Sequence, residues 1–316
     1  MLIIPGAGKR GETFEYDLAI IGSGPAGLTA GIYSSRAGLQ AVIVEKNAAG
    51  GLAAEAPYIE NYPGFIGIKG QELASRMKEH AKNYLPIFEM SPISKIEKQD
   101  TGKFFIESHQ GNFSVSSIIF ATGTTHKHLN IKGEKEFSGK GISYCVTCDG
   151  PFFKDHDVII IGGGNSGAAA AIYMSGLAKK VTILECMPRT MCENAYTKKI
   201  EELGLEYIKN AKVTEIFGDD VVRGLRYVDK SIGKEYELKA DGVFIYIGLS
   251  PQSELAKSIG CQLNNGGYIK VDDKMRTSVP FVYAAGDVTG GVAQIIVAAA
   301  QGAIAALSCF EDLSLK

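Results

Sequence analysis

The sequence has no tryptophan, few cysteines and no strong excess of either charge. Six cysteines in 316 residues are too few for a secreted scaffold held by disulfides. A net charge of -2 gives no broad positive surface for nucleic acid or an anionic membrane. No run approaches the roughly 20 apolar residues of a membrane span, and the nearest is broken by Gln301 and Gly302. These absences predict a cytoplasmic protein with no nucleic-acid or membrane partner.

Glycine, by contrast, is abundant, and the pattern G-x-G-x-x-G occurs three times. The pattern alone is weak evidence, so the sequence around each copy decides its meaning. The copy at Gly6, Gly8 and Gly11 precedes no apolar helix. We therefore predict that residues 1–15 form a flexible N-terminal arm.

The other two copies each lie within a strand, helix and strand pattern. Gly22, Gly24 and Gly27 follow an apolar run, open a helix-like segment and precede a second apolar run that ends in Glu45. Such glycines let the backbone approach a pyrophosphate, and the acid can accept a hydrogen bond from an adenosine ribose. The second copy, displaced by 140 positions, consists of Gly162, Gly164, Gly167 and Glu185.

Two matched copies predict an α/β protein with two Rossmann-like three-layer nucleotide-binding domains. Buried strands that end in glycine at Gly123 and Gly248 suggest where the chain crosses between them. The first domain is then discontinuous, with residues 16–126 and 250–316. Residues 127–249 form the second domain, inserted into the first.

Cys145 and Cys148 lie just before the second glycine copy, separated by two residues. This spacing allows a small disulfide ring and commonly lowers the pKa of one thiol. Half of a structural zinc site has the same spacing, but no second cysteine pair exists, so we predict no metal. An inert buried pair is a second alternative. The adjacent Asp149 favours redox chemistry, since it suits proton transfer.

From Asp17 onward the sequence resembles the low-molecular-weight thioredoxin reductases, which are archaeal and bacterial FAD-dependent pyridine nucleotide-disulfide oxidoreductases. The resemblance rests on several motifs and on their order along the chain. These motifs are IIGSGPAGLTA at Gly22, Gly50-Gly51-Leu52, Glu60-Asn61-Tyr62-Pro63-Gly64, Ala121-Thr122-Gly123, CVTCDG at Cys145, the second glycine copy, and YAAGDV followed by Ala293-Gln294-Ile295.

The resemblance implies a thioredoxin-disulfide reductase that forms a homodimer, with thioredoxin or a similar protein as partner. Cys148 would be the sulfur nearer the flavin, Cys145 would attack the partner's disulfide, and Asp149 would act as acid and base. The discontinuous domain would bind FAD and the inserted domain a nicotinamide nucleotide. The implied FAD residues are Gly22, Gly24, Pro25, Ala26, Gly27, Glu45, Lys46, Gly50, Gly51, Leu52, Asn61, Ala121, Thr122, Gly123, Gly286, Asp287, Ala293, Gln294 and Ile295, and the nicotinamide-site candidates are Gly162, Gly164, Asn165, Ser166, Gly167, Glu185 and Arg189.

The sequence departs from the family at the slot where NADPH-dependent members carry His-Arg-Arg and a further Arg. Here the slot begins with Glu185, and an acid repels the 2′-phosphate of NADPH. Either the enzyme prefers NADH, or the site is vestigial and electrons come from another carrier; Arg189 could partly restore phosphate binding. Three other functions stay open, namely a dithiol oxidase, a peroxide-system reductase and a flavin-binding redox sensor without turnover.

Overall fold

The computed structural model describes residues 13–56 and 58–315, which form an α/β protein as the sequence predicts. In chain order the described strands are β1 (Thr13–Ile21), β2 (Ala41–Val44), β3 (Ile87–Phe88), β4 (Ile93–Lys98), β5 (Phe104–Ser108), β6 (Gly111–Phe120), β7 (Thr124–His126), β8 (Ile142–Ser143), β9 (Asp157–Ile161), β10 (Lys180–Leu184), β11 (Glu206–Ile208), β12 (Ala211–Gly218), β13 (Val222–Asp229), β14 (Lys234–Lys239), β15 (Gly242–Ile245), β16 (Leu249–Pro251) and β17 (Val282–Ala284). The described helices are α1 (Pro25–Arg36), α2 (Gly70–Lys82), α3 (Val146–Asp149), α4 (Asn165–Ser175), α5 (Asn194–Glu202), α6 (Glu254–Ser258) and α7 (Ile295–Ser314).

The chain divides into two compact units. Unit 1 runs to Thr125 and resumes at Ser250, and unit 2 comprises His126–Leu249. The sequence-based domain boundaries fall after residues 126 and 249. The predicted arm of residues 1–15 was wrong for its last three residues, because Thr13, Phe14 and Glu15 pair with β6 as the start of β1. Residues 1–12, which contain the glycine pattern at Gly6, Gly8 and Gly11, lie outside the described residues.

Unit 1 is built on a sheet with the strand order β3-β2-β1-β6-β5-β4, in which β17 also pairs with β6. The strands on the nucleotide side of this sheet are parallel, whereas β4, β5 and β6 pair antiparallel. Side chains alternate between the two faces of β1, as the strand period of two requires. Leu18 and Ile20 pack into the core beneath α1 and α7, and Ala19 and Ile21 pack into the core on the opposite face.

Helix α7 is longer and more continuous than the sequence analysis anticipated. By length and composition alone it could cross a membrane, with a mean hydropathy of 1.4 and 39% of that window buried. The prediction that no run approaches this length was therefore too strong. Its apolar character has a local cause, because Ala298, Ala305 and Ala306 pack into the same core as α1. A core helix of this kind meets the same length and composition criteria.

Unit 2 repeats the plan in a smaller form. Its five-stranded parallel sheet has the order β11-β10-β9-β15-β8, and β12, β13 and β14 form a separate antiparallel sheet. Val158 and Ile160 of β9 face α4, while Ile159 and Ile161 face the core shared with the antiparallel sheet. The carboxyl end of β9 leads directly into the second glycine turn, where open α/β sheets bind ligands.

Candidate functional site

The first glycine turn joins β1 to α1 and cannot accept larger residues at two of its positions. Gly22 has a φ of +102°, and a Cβ there would lie 2.3 Å from the carbonyl oxygen of Ala121. A Cβ on Gly27 would lie 1.9 Å from the carbonyl oxygen of Gly22. The turn and the start of α1 therefore pack backbone to backbone, which leaves the helix N-terminus open toward a phosphate.

Glu45, at the end of β2, is buried and is tied to this turn. Its Oε2 accepts hydrogen bonds from the backbone N–H of Ser23 at 2.8 Å and from the Ser23 hydroxyl at 2.9 Å. Its Oε1 accepts one from the N–H of Asn47 at 2.9 Å. A carboxylate has about four acceptor positions, so Glu45 can still accept a hydrogen bond from a ribose hydroxyl.

Other residues predicted to bind FAD meet at the same helix start. A Cβ on Gly51 would lie 3.2 Å from the Cα of Gly24, and one on Gly286 would lie 2.9 Å from the Cβ of Ala26. Pro25 begins α1, where its missing N–H costs no helical hydrogen bond. The structure thus brings three separate chain segments together around the first turn of α1.

A second group of predicted residues is joined by side-chain hydrogen bonds. The amide of Asn61 donates to Oε1 of Gln294 at 3.0 Å, just before α7 begins. Lys46 donates to Oε1 of Gln252 at 3.1 Å, and the Thr122 hydroxyl donates to the carbonyl of Gln252 at 2.6 Å. Gln252 was not predicted, because its role depends on where the chain returns to unit 1.

Asp287 gives the clearest test of whether unit 1 suits FAD. Burial raises the pKa of its carboxyl group. Within residues 13–56 and 58–315 no hydrogen bond to this carboxylate is present, so it suits hydroxyl donors of a ligand such as the ribityl chain. The remaining predicted residues are Gly50 with φ +129°, Leu52 in a 3-10 helix, Gly123 with φ +62°, Ala293 exposed before α7, and Ile295 as the first residue of α7.

The glycine turn of unit 2 reproduces that of unit 1. Gly162 has a φ of +106°, and a Cβ on Gly167 would lie 1.8 Å from the carbonyl oxygen of Gly162. Glu185 is buried, and its Oε2 accepts the N–H of Gly163 at 2.8 Å. Its Oε1 accepts the N–H of Met187, also at 2.8 Å. Glu185 is therefore held in the same way as Glu45.

The other nicotinamide-site candidates lie on either side of this turn. Gly164 precedes α4, Asn165 begins it, and Ser166 is exposed in its first turn. Asn165 forms a reciprocal pair with Glu193, which the sequence analysis missed. Arg189 is exposed in the segment after β10. Glu193 thus places a second carboxylate near the helix start.

Cys145 and Cys148 form a disulfide with their Cα atoms 5.4 Å apart, within the normal range. Cys145 precedes α3, and its Sγ accepts the backbone N–H of Cys148 at 3.1 Å. Cys148 is exposed, and Asp149 is half-buried at the end of α3. Among the described residues no hydrogen bond joins Cys145, Cys148 or Asp149 to the glycine turn of unit 2.

A polar network that the sequence analysis missed lies beside Cys145. The hydroxyl of Tyr144 donates to Oε1 of Glu134 at 2.8 Å, and Nδ1 of His128 lies 2.8 Å from the same hydroxyl. Burial alone would raise the pKa of Glu134, but hydrogen bonds from Tyr144 and two backbone amides lower it below its usual value. Glu134 is thus an ionised anchor for the residue before Cys145. No sequence motif joins these three positions.

Comparisons with known proteins agree with this geometry. The family model for pyridine nucleotide-disulphide oxidoreductases matches residues 16–302. A thioredoxin reductase of Bacillus subtilis is 36% identical over 296 residues, covering 93% of each chain. An NADH dehydrogenase of the same organism is 38% identical over 311 residues, which are 97% of this chain but only 60% of that protein. The crystal structure of T. acidophilum thioredoxin reductase matches with a TM-score of 0.92 and 51% identity, covering 96% of this chain and 99% of the other.

The two Rossmann-like units predicted from the paired glycine turns are confirmed by this structural match, which extends over both of them. The redox disulfide is present at the predicted cysteines. FAD and a nicotinamide nucleotide are the cofactors that such enzymes use, and the residues of unit 1 fit FAD. The chain therefore belongs to the pyridine nucleotide-disulphide oxidoreductase family, with low-molecular-weight thioredoxin reductases among its relatives.

Proposed function

We propose that this chain is a thioredoxin-disulfide reductase that receives its electrons from NADH. Bound FAD supplies the two-electron link between the nicotinamide and the disulfide. The observation that carries the proposal is the Cys145–Cys148 disulfide at the start of α3. Relatives named thioredoxin reductase support a small protein disulfide as the acceptor.

The two cysteines have different surroundings, which supports different roles. A hydrogen bond from the N–H of Cys148 favours the thiolate form of Cys145 once the disulfide is reduced. We assign the attack on the partner's disulfide to Cys145, which forms a mixed disulfide and releases one partner thiolate. Cys148 then attacks the Cys145 sulfur, restores the internal disulfide and releases the second partner thiolate. Asp149 is the adjacent candidate for proton transfer.

The donor is inferred from the match between Glu185 and Glu45. An intact, hydrogen-bonded acid at the end of β10 supports a functional ribose site rather than a vestigial one. Because the acid can accept from a 2′-hydroxyl and repels a 2′-phosphate, NADH fits better than NADPH. The relative named NADH dehydrogenase supports the same choice.

The test is anaerobic reduction of the flavin by each nucleotide, followed by addition of oxidised thioredoxin. We expect NADH to reduce the flavin at least about a hundredfold more efficiently than NADPH. The 2′-phosphate of NADPH would lie beside the Glu185 carboxylate, where it is repelled, instead of beside the guanidinium group that usually binds it. Glu185→Gln keeps the shape of the side chain and removes its charge, so it should reduce the preference for NADH over NADPH. Efficient reduction by NADPH alone contradicts the NADH assignment, and reduction by neither nucleotide supports a different carrier.

We also propose that two copies of the chain associate through α7. Exposed apolar side chains recur along this helix at Ile296, Ile304, Leu307 and Phe310. Their spacing places them on one face of the helix, and leaving such an apolar face exposed to water is unfavourable. Sedimentation should give twice the mass of one chain, and Leu307→Glu should shift it toward the single-chain mass. A single-chain mass for the wild type contradicts the homodimer.

We place this dimer in the cytoplasm, without a membrane or nucleic-acid partner.

A further inference from the structure

The two glycine turns differ in what lies behind them. In unit 1 the carbonyl of Ser23 accepts the backbone N–H of Gly50 at 3.0 Å. In unit 2 the corresponding carbonyl belongs to Gly163, and it accepts the hydroxyl of Tyr207 at 3.1 Å. A tyrosine side chain from β11 therefore replaces a direct contact between backbone segments.

The ring of Tyr207 occupies the space that a side chain at Gly163 would need. A Cβ on Gly163 would lie 1.9 Å from the tyrosine oxygen and 2.6 Å from the ring carbon that carries it. In unit 1 the equivalent positions hold Ser23 and Ile87, since Ile87 pairs with β2 as Tyr207 pairs with β10. With the Tyr207 ring in this place, any side chain at Gly163 would force the ring to move.

The segment 185–193 is attached to the turn at further points. Glu185 accepts the N–H of Gly163 at 2.8 Å. The amide of Asn165 donates to Glu193 at 2.7 Å, and the N–H of Glu193 donates back to Asn165 at 2.8 Å. Burial raises the pKa of Tyr207 to about 12, so its hydroxyl keeps its proton. Tyr207 and Cys192 of the segment pack against the same apolar core.

These contacts have a consequence for ligand choice. Glu185 and Glu193 lie on a segment that is hydrogen-bonded to the glycine turn at its start and to the start of α4 at its end. Between these points Cys192 packs against the same apolar core as Tyr207. A segment held in this way cannot swing its carboxylates away to admit a phosphate on the ribose. A loose segment could do so, because residues 186–189 and Met191 carry exposed side chains.

We infer that Tyr207 is a specificity-determining positioning residue, which holds segment 185–193 so that unit 2 selects a nucleotide without a 2′-phosphate. The inference rests on the proposed function, because it assumes that unit 2 binds the nicotinamide nucleotide. It adds a residue on β11, outside the glycine turn and outside the slot after β10. Its effect is exerted through Glu185 and Glu193 and not through contact with the reacting atoms.

The test compares Tyr207→Phe, which removes only the hydroxyl, with Tyr236→Phe in the separate antiparallel sheet of unit 2. Binding of ADP-ribose and of 2′-phospho-ADP-ribose is measured by calorimetry on the oxidised FAD-loaded protein. We expect Tyr207→Phe to reduce the preference for ADP-ribose roughly tenfold, which corresponds to 1.4 kcal/mol. Amide exchange within residues 185–193 should accelerate, while kcat at saturating NADH stays within about twofold because no reacting group has changed. Tyr236→Phe should change none of these quantities.

A double-mutant cycle tests independently whether the Tyr207 ring occupies the space beside Gly163. Gly163→Ala should weaken ADP-ribose binding strongly when Tyr207 is present and weakly in the Tyr207→Ile background, which imitates unit 1. Equal effects in both backgrounds, or unchanged preference and unchanged exchange in Tyr207→Phe, overturn the inference. If the wild type binds neither ligand, the donor assignment fails and the specificity role fails with it. In that case, faster amide exchange within residues 185–193 in Tyr207→Phe would still show that the Tyr207 hydroxyl holds this segment in place.

Discussion

Cys148→Ser is expected to lower the reduction of thioredoxin by at least about a thousandfold, because the electron pair can no longer be stored as a dithiol. The protein should remain yellow and NADH should still reduce the flavin, since Cys148 lies in unit 2 and the residues that fit FAD lie in unit 1. Cys145 should still attack thioredoxin. With Cys148 absent, this chain has no thiol to resolve the mixed disulfide on Cys145, and only the partner thiolate released in the attack can reverse it, so a partner-bound fraction should be detectable.

Cys145→Ser should lose turnover to the same extent but form no such adduct, because the thiol with the stabilising N–H contact is missing. Cys261→Ser provides the control, since that buried thiol contacts Thr277 in unit 1 and serine keeps a donor there. Turnover and adduct formation are followed by anaerobic assay and by mass spectrometry under non-reducing conditions. Persistent turnover in Cys148→Ser contradicts the relay, and an adduct on Cys148 in Cys145→Ser reverses the assigned roles.

Gly302→Val is expected to lower the free energy of unfolding by about 3 kcal/mol or more, which is the upper part of the range for overpacked sites. A Cβ on Gly302 would lie 2.1 Å from the carbonyl oxygen of Ala26, and backbone cannot rotate away as a side chain can. At Gly302 the backbone of α7 therefore packs directly against the first turn of α1. Valine there should push the helices apart and weaken FAD retention together with stability.

Ser75→Val is the control, because it places the same side chain on an exposed position of α2 in the same unit, away from the α7 face proposed to form the dimer. It should cost only the small helix-propensity difference between serine and valine, at most about 0.7 kcal/mol. Urea unfolding and the ratio of flavin to protein absorbance measure the two effects. Equal stability of the two variants contradicts the close packing of α1 and α7.

The features that the sequence predicted well are those that depend on local backbone conformation. Gly22 and Gly162 have positive φ values that other residues rarely adopt, so the pattern identified both turns and the two-unit fold. Glu45 and Glu185 were identified by their place at strand ends. The cysteine pair was identified by its spacing, which suffices for a disulfide over one helical turn.

The features that were missed depend on contacts between distant positions. Tyr207 reaches Gly163 across 44 positions, and Gln252 reaches Thr122 across 130. Neither contact has a periodic or motif signal in one sequence. The antiparallel sheet β12-β13-β14 was also not predicted. Its strands carry less regular alternation, with register shifts in the pairing of β12 with β13.

The paired turns also bear on the history of the chain. Gly24 and Gly164 have φ and ψ values of -71°, -176° and -74°, -177°, and both acids accept the same two backbone N–H bonds. A duplication that preserves the ligand-facing backbone and exchanges the packing behind it produces such a pair. The two turns thus share one backbone geometry and differ in the packing behind it, where the carbonyl of Ser23 accepts from Gly50 and that of Gly163 accepts from Tyr207.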